Sequence, residues 1–352
     1  MAAGAGFATR PAYYHRHQRT DGRHYCRASR YGRTGQCRGQ GMTIRNVAII
    51  GLGLLGGSIG LAVAEHLPDV ATTGFDADPA VRQRARERAL VGNVCDTVEE
   101  AVSSADLVIL CVPVGAMGAV AASMAGTLPK SAIVSDVGSS KQSVAEALVA
   151  ALPDNPIIPA HPVAGTEQSG PDAGFSSLFH NRWCILTPAE GVDAAKVDDL
   201  GAFWAALGAK IEIMTPQHHD LVLAVTSHIP HLIAYTIVGT ASDLEDVTRS
   251  EVIKYSAGGF RDFTRIAASD PTMWRDVFLN NREAVLEMLG RFTEDLTAIQ
   301  RAIRNGDGET LFDHFARTRA IRRSIIEEGQ DDARPDFGRS DHNTPTADNS
   351  VS

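Results

Sequence analysis

Three stretches of the chain carry residue types that do chemistry, at spacings that chemistry needs. The first is Gly51-Leu52-Gly53-Leu54-Leu55-Gly56, a glycine loop between an apolar strand and a helix. In that setting Gly51 permits a tight turn, Gly53 admits a pyrophosphate against the backbone, and Gly56 lets helix and strand pack closely. The phosphates would sit on the helix N-terminus, where Leu54 and Leu55 open the helix. Asp76 lies twenty residues beyond Gly56. A carboxylate there accepts hydrogen bonds from both ribose hydroxyls and repels a 2′-phosphate. Ala77-Asp78-Pro79 holds no arginine, which favours NAD over NADP, although Arg82, Arg84 and Arg86 begin a turn later. The plain alternative is a glycine-rich turn that merely joins strand to helix.

The second stretch gathers polar residues at the ends of later strands, where an open α/β sheet places its ligands. Cys111-Val112-Pro113 ends one apolar run, and Val112 and Pro113 are expected to border the nicotinamide side of a dinucleotide. Gly138-Ser139-Ser140-Lys141 follows the next strand, where a hydroxyl and a lysine suit substrate or cofactor contact. A helix N-cap by Ser139 or Ser140 is the alternative. His161-Pro162-Val163-Ala164-Gly165-Thr166-Glu167 ends the strand after that. An imidazole facing a cofactor crevice can take a proton from an alcohol as hydride leaves the carbon. A core histidine satisfied by backbone would look similar, but Pro162 and Gly165 argue for a shaped loop.

The third stretch is helical. Ser227-His228-Ile229-Pro230-His231 puts two histidines three apart, on one helical face. That spacing suits a metal, yet no acidic ligands accompany it, so no metal is expected. Gly258-Gly259-Phe260-Arg261-Asp262-Phe263-Thr264-Arg265 reads as a loop-to-helix junction with two arginines four apart. Either guanidinium could hold a substrate carboxylate in bidentate fashion, or pair with Asp262 or Asp270. Trp274 reads as packing, with a place at the pocket wall.

Patterning along the chain indicates how these groups would be positioned. From Asn46 short apolar strands alternate with helices: strands are expected at Val47–Ile50, Val70–Phe75, Leu107–Val112, Ala132–Val137, Ile157–Ala160, Cys184–Thr187 and Lys210–Met214. Such alternation implies βαβ units in a doubly wound sheet. After Thr215 the strand signal ends and the period is helical to about Glu328. It is interrupted at Gly258-Gly259, capped anew at Ser269-Asp270-Pro271, and includes a long amphipathic helix over Trp274–Ile303. The expected fold class is α/β: a Rossmann-type doubly wound sheet domain over 42–214, then an all-α dimerisation domain over 215–329.

The 352 residues are 44% hydrophobic and 21% charged with a net charge of −9, which argues against nucleic acid or an anionic membrane as partner. No run of eighteen apolar residues occurs, so no transmembrane helix is expected. Five scattered cysteines read as reduced thiols in a cytoplasmic protein. Residues 1–41 hold eight arginines and one acid, too little apolar surface to fold. They read as a disordered basic extension, fitting a start site placed upstream of Met42, or else as a basic arm. Residues 330–352 read as a disordered polar tail.

Taken together, the glycine loop, Gly138-Ser139-Ser140-Lys141, the His161–Glu167 loop, Ser227–His231 and Gly258–Arg265 resemble prephenate dehydrogenase and its arogenate and cyclohexadienyl relatives. The resemblance runs from about Val47 to Glu328, and its second half is far more specific than the glycine loop. It implies oxidative decarboxylation of prephenate with NAD in tyrosine biosynthesis. Hydride leaves C4 of the cyclohexadiene ring, carbon dioxide departs, and aromatisation drives the reaction. By the family's pattern His161 is base or polariser at the C4 hydroxyl, and Ser139 orients that hydroxyl. Arg265 binds a carboxylate, and His231, Glu167 and Thr166 line the pocket. Prephenate is a dicarboxylate, so Arg261 and Lys141 are further candidate cations. A homodimer through the helical domain is implied. Neither a regulatory domain nor a fused chorismate mutase is expected. An arogenate-specific enzyme, a related reductase using Lys254 as acid, and a non-catalytic NAD-binding regulator stay open as alternatives, and a regulator would need no base at His161.

Overall fold

The computed structural model describes residues 42–166, 168–243 and 258–327. The expectations for 1–41, for the tail, for Glu167 and for Lys254 fall outside the described residues. Five strands, β1 (Asn46–Ile50), β2 (Ala71–Phe75), β3 (Asn93–Val94), β4 (Leu107–Leu110) and β5 (Ile133–Asp136), form a parallel sheet in the order β3-β2-β1-β4-β5. β4 is Leu-Val-Ile-Leu and buried throughout, as a strand covered on both faces by helices must be. Those helices are α1 (Leu54–His66), α2 (Pro79–Glu87), α3 (Val98–Val102), α4 (Met117–Met124) and α5 (Gln142–Ala151). Chain order reverses between β1 and β4, so the ligand crevice lies at their carboxyl ends.

The remaining strands form a second sheet rather than extending the first. β6 (Ala160–Pro162), β7 (Trp183–Leu186) and β8 (Lys210–Ile213) pair in that order, β6 antiparallel and β8 parallel to β7, with α6 (Ala194–Ala206) between the last two. The sheets join through one parallel bridge, Val134 to Ile157. The strand expected over Ile157–Ala160 is therefore displaced to Ala160–Pro162. Pro159 has no N–H to donate, and its carbonyl is taken by Thr187 N at 2.8 Å, so the first ladder stops and a new one begins.

Beyond Ile213 every described element is helical: α7 (Pro216–Leu223), a π-helical turn (Ala224–His228), α8 (Ile229–Ser242), α9 (Gly258–Thr264), a 3₁₀ turn (Arg265–Ala268), α10 (Pro271–Asn280), α11 (Arg282–Asn305) and α12 (Gly308–Glu327). Thr215 caps α7 through His218 N at 3.2 Å, and Asp270 caps α10 through Met273 N at 2.9 Å.

Two expectations need correction here. The helix expected over Trp274–Ile303 breaks at Asn281, which has φ −113° and ψ 34°. The buried Asn281 amide donates to the Asp220 carbonyl at 2.8 Å and to His228 Nδ1 at 3.0 Å, two bonds that a regular helical position would not reach. Finally, the helical stretch 216–242 spans 27 residues with a mean hydropathy of 1.6 in its most apolar window, long and apolar enough to cross a membrane. Yet it seats His219, Asp220 and His228 inside the protein and leaves Val225, Ile237 and Val238 exposed. His219 and Asp220 are tied to the sheet domain, and His228 to Asn281.

Asn281→Ala removes both donors and leaves the buried His228 Nδ1 unpaired, at a cost of about 1–3 kcal/mol, while the Asp220 carbonyl keeps the Ala224 N–H. Chemical denaturation of the variant is expected to show a loss of about 1–3 kcal/mol, and an unchanged midpoint would contradict this role for the amide.

Candidate active site

The glycine loop has the geometry its spacing implies. Gly51 sits at φ +102°, and a side chain there would press on the Cys111 carbonyl at 2.5 Å and Val112 Cγ1 at 3.2 Å. Only glycine combines that conformation with so close an approach of the loop after β4. At Gly56 a Cβ would strike the Gly51 carbonyl oxygen, whereas at Gly53 it would meet nothing within 4 Å. Gly53 is also the N-cap of α1, with no side-chain cap bond and no acidic residue in the first turn. The helix thus presents open N–H groups and the positive end of its dipole, a fit for a pyrophosphate against Leu54 and Leu55.

Asp76 stands at the tip of β2, where its carboxylate accepts from Leu52 N and Asp78 N, both at 2.9 Å. It is thereby fixed beside the glycine loop with lone pairs left for ribose hydroxyls. The nearby arginines are committed elsewhere. Arg82 donates to the Asp76 carbonyl at 2.8 Å, Arg84 to Asp172 at 2.8 Å and Arg86 to Asp96 at 2.6 Å. A 2′-phosphate would have to compete with those carboxylates. Val112 is half-buried beside the loop and Pro113 is exposed at its rim.

Behind the crevice lies a buried ion pair that corrects the expectation for Lys141. Its ammonium is fully buried against Asp136, also fully buried, and donates to the Ala160 carbonyl at 2.8 Å. Asp136 further accepts from Gly138 N at 2.7 Å and Ala160 N at 3.3 Å. Lys141 is not available to a substrate; with Asp136 it braces the end of β5 and the start of β6, the strand that carries His161. Ser139 is half-buried on the loop between them. Neither it nor Ser140 caps α5, whose N-cap is Lys141 with no side-chain bond.

The cap comes instead from the helical domain. The Asp220 carboxylate accepts from Lys141 N at 2.8 Å and Gln142 N at 2.9 Å, 79 and 78 residues away in sequence. The same carboxylate accepts from His219 Nδ1 at 2.8 Å, and His219 Nε2 meets His161 Nδ1 at 2.8 Å. The partners fix the protons. A carboxylate only accepts, so the hydrogen of His219 is on Nδ1 and its Nε2 offers a lone pair. His161 must then donate from Nδ1, which leaves His161 Nε2 as an acceptor. Burial holds His161 well below the usual imidazole range, aided by the neighbouring His219, Lys141 and His228, so it is neutral at neutral pH. Residues 219 and 220 are absent from the sequence-based expectations. As the fourth and fifth residues of α7 they look like an ordinary polar pair near a helix start, and nothing local marks a cap on a distant helix.

The SHIPH segment divides its work. His228 is fully buried and accepts from Asn281 through Nδ1; its Nε2 has no partner among the described residues, and burial holds its pKa at about 4. His231 donates from Nδ1 to the Ser227 carbonyl at 2.8 Å and stacks on Trp274 with ring centroids 3.7 Å apart. Burial, and to a lesser degree the charge of Arg265, push His231 below its ordinary range. His231, Trp274 and Arg265 therefore form one wall. Arg265 is exposed at the start of its 3₁₀ turn, and Arg261 is exposed one helical turn earlier. The helical domain also reaches the loop after β4, where a Cβ on Gly115 would lie 3.5 Å from Asp276 Oδ2. Thr166 is exposed and its hydroxyl accepts from Gln168 N at 3.2 Å, closing a local turn rather than meeting the histidines. Among the described residues no cluster of three or more His, Cys, Asp or Glu is arranged to hold a metal ion.

Comparison with known proteins bears on both halves of this arrangement. The family model for the prephenate dehydrogenase nucleotide-binding domain matches residues 59–213, and that for the prephenate dehydrogenase dimerization domain matches 215–317. A cyclohexadienyl dehydrogenase of Zymomonas mobilis is 46% identical over 285 residues, covering 81% of this chain and 97% of that protein. The crystal structure of an A. aeolicus prephenate dehydrogenase in complex with hydroxyphenyl propionate and NAD+ superposes with a TM-score of 0.76. It is 31% identical, covering 81% of this chain and all of that one. A Synechocystis arogenate dehydrogenase gives a TM-score of 0.70 at 26% identity, over 80% of this chain and 99% of that one. With both domains matched in order and a relative this similar over most of its length, the chain belongs to the prephenate dehydrogenase family of oxidoreductases.

Proposed function

We propose that this chain is a cytoplasmic, NAD-dependent prephenate dehydrogenase of tyrosine biosynthesis, with arogenate as a related substrate, built from a sheet domain over 42–214 and a helical domain over 215–329. The observation that carries this reading is His161: a buried neutral imidazole at a strand end, its Nδ1 bonded to His219 and its Nε2 left as an acceptor. The open N-terminus of α1, the glycine loop and Asp76 would hold NAD+, which when bound supplies the hydride acceptor. The arginine commitments around Asp76 favour it over the 2′-phosphorylated form.

The chain's own residues then have three tasks. Arg265, with the His231–Trp274 wall, binds a substrate carboxylate, and Arg261 adds positive potential at the entrance. By the family resemblance, Thr166 and Glu167 are further substrate contacts. Ser139 hydrogen-bonds the C4 hydroxyl and turns it toward His161. As the C4–H bond breaks, positive charge builds on C4 and its oxygen, and His161 Nε2 takes up part of the hydroxyl proton. The electron pair of the C1–carboxylate bond flows into the ring and carbon dioxide leaves, so the ring becomes aromatic. The product keeps a phenolic O–H, so no proton is released overall. His161 borrows the proton and returns it to the same oxygen.

The family's dimerization domain supports a homodimer. Val225, Ile237 and Val238 on the helical stretch 216–242 and Leu296, Ile303 and Phe312 on α11 and α12 are exposed in one subunit, and a second subunit would cover such surface.

His161→Asn is expected to bind NAD+ normally, measured by fluorescence titration, while kcat falls about 10²–10⁴-fold. In the unaltered protein the active form of His161 is neutral, so kcat is retained as pH falls through 6.5, the ordinary imidazole value, and is lost only in the more acidic range. Full turnover by the Asn variant would remove His161 from the mechanism. Arg265→Ala is expected to raise KM for prephenate tenfold or more, on the order of the 1.5–3 kcal/mol of a charged hydrogen bond. A normal KM would end its assignment as a carboxylate ligand.

A further inference from the structure

We propose that His219 and Asp220 are positioning residues for the reaction, forming a carboxylate–imidazole relay that holds His161 in its Nδ1–H tautomer and supports the charge it takes from the substrate hydroxyl. The inference rests on the reading of His161 as the proton acceptor and goes beyond it, because neither residue reaches the crevice. His219 is fully buried and Asp220 is 3% exposed. What they touch is each other, His161, and the first turn of α5.

His161 is buried, and burial disfavours the imidazolium that proton uptake creates. The charged groups around it come from every packed element: His219 and Asp220 from α7, His228 from the π turn, and Lys141 paired with Asp136 from below. The cations among them oppose a positive charge on His161. A protonated His219 would do the same. But burial pushes His219 below its ordinary range as well, and its single hydrogen is occupied on Asp220. It therefore faces His161 with a lone pair, not a charge. When His161 Nε2 takes the substrate proton, its Nδ1–H bond to His219 strengthens, and the carboxylate stabilises the whole chain through one imidazole.

Asp220 is well placed to do this without moving. Its two oxygens are pinned by backbone N–H groups at the start of α5, and its own carbonyl by Asn281. The relay is thus referenced to the sheet domain, which also holds the cofactor loop. Since the reaction returns the hydroxyl proton to the same oxygen, the relay need carry no proton away. It need only make borrowing less costly.

The test uses full-length His219→Leu, His219→Gln and Asp220→Asn, with melting curves to confirm folding and kcat and KM measured across the acid and neutral range. In His219→Leu, kcat should fall about 10–100-fold with KM for prephenate little changed, as expected for lost support of a general base. In His219→Leu and Asp220→Asn the acid limb of kcat should move about one pH unit lower, because His161 holds a proton less readily once the carboxylate is disconnected or neutralised. Gln can accept from His161 with its carbonyl and donate to Asp220 with its amide, so it should recover much of the loss. Folded Leu and Asn variants whose acid limb stays in place would overturn the relay, even with reduced kcat, since a merely structural role moves no pH profile. That result beside an inactive His161→Asn leaves the base assignment standing, whereas an active His161→Asn removes the base itself. Should the Leu and Asn variants fail to fold, imidazole ¹⁵N spectra of the unaltered protein decide the matter: hydrogen on Nδ1 of both His161 and His219 supports the relay, and hydrogen on Nε2 of His161 refutes it.

Discussion

One carboxylate holds the two domains and the site in register. Asp220 is the fifth residue of α7, yet its oxygens accept the N–H groups of Lys141 and Gln142 at the start of α5 and the Nδ1–H of His219. A buried carboxylate left unpaired is strongly unfavourable, and here its bonds come from both domains at once. A negative group at a helix N-terminus gains up to about 2 kcal/mol when partly buried, which makes this contact worth more than its small area suggests. If α7 shifted away from α5, it would strand the carboxylate, two N–H groups and a histidine together. The crevice between the domains is therefore held by a bond that resists sliding.

From that contact the rest follows by short steps. The tie to α5 places His219 against His161, whose own strand is braced by the buried Lys141–Asp136 pair. Asn281 breaks the helical path between α10 and α11 in order to reach the Asp220 carbonyl and His228. The same break lets α10 run its own course, with Trp274 stacked on His231 close to Arg265. Polar bonds thus fix the reacting imidazole, while aromatic stacking fixes the wall that meets the substrate. The cofactor side has its own logic: backbone geometry at Gly51 and Gly56 shapes the loop, and Asp76 ties it to β2.

How legible this was in the sequence depended on the range of each interaction. The glycine loop, the alternating strands and helices and the change to all-helical structure after Thr215 are local patterns, and they appear where the residue types put them. His161 and His231 were marked by the loop and helix around them. Lys141 was misread because its neighbours, two serines and a glycine, look like an open loop, while its partner Asp136 reads as the end of a buried strand. His219 and Asp220 were passed over because an Asp one turn into a helix is ordinary; its partners are almost eighty residues away. The break at Asn281 carries no glycine or proline, and its cause is also long-range. Arg261 and Thr166 stand exposed, and their proposed roles rest on charge, spacing and resemblance rather than on a contact.

The most direct test is a crystal structure of the full chain with NAD+ and 4-hydroxyphenylpyruvate, the aromatic product of the proposed reaction. The phenolic oxygen should lie about 2.6–3.2 Å from His161 Nε2, with His219 still bonded to His161 Nδ1 and the side-chain carboxylate held by Arg265 beside His231. A ternary complex in which that oxygen points away from His161, or in which His161 turns its Nε2 toward His219, would contradict the mechanism derived from this fold.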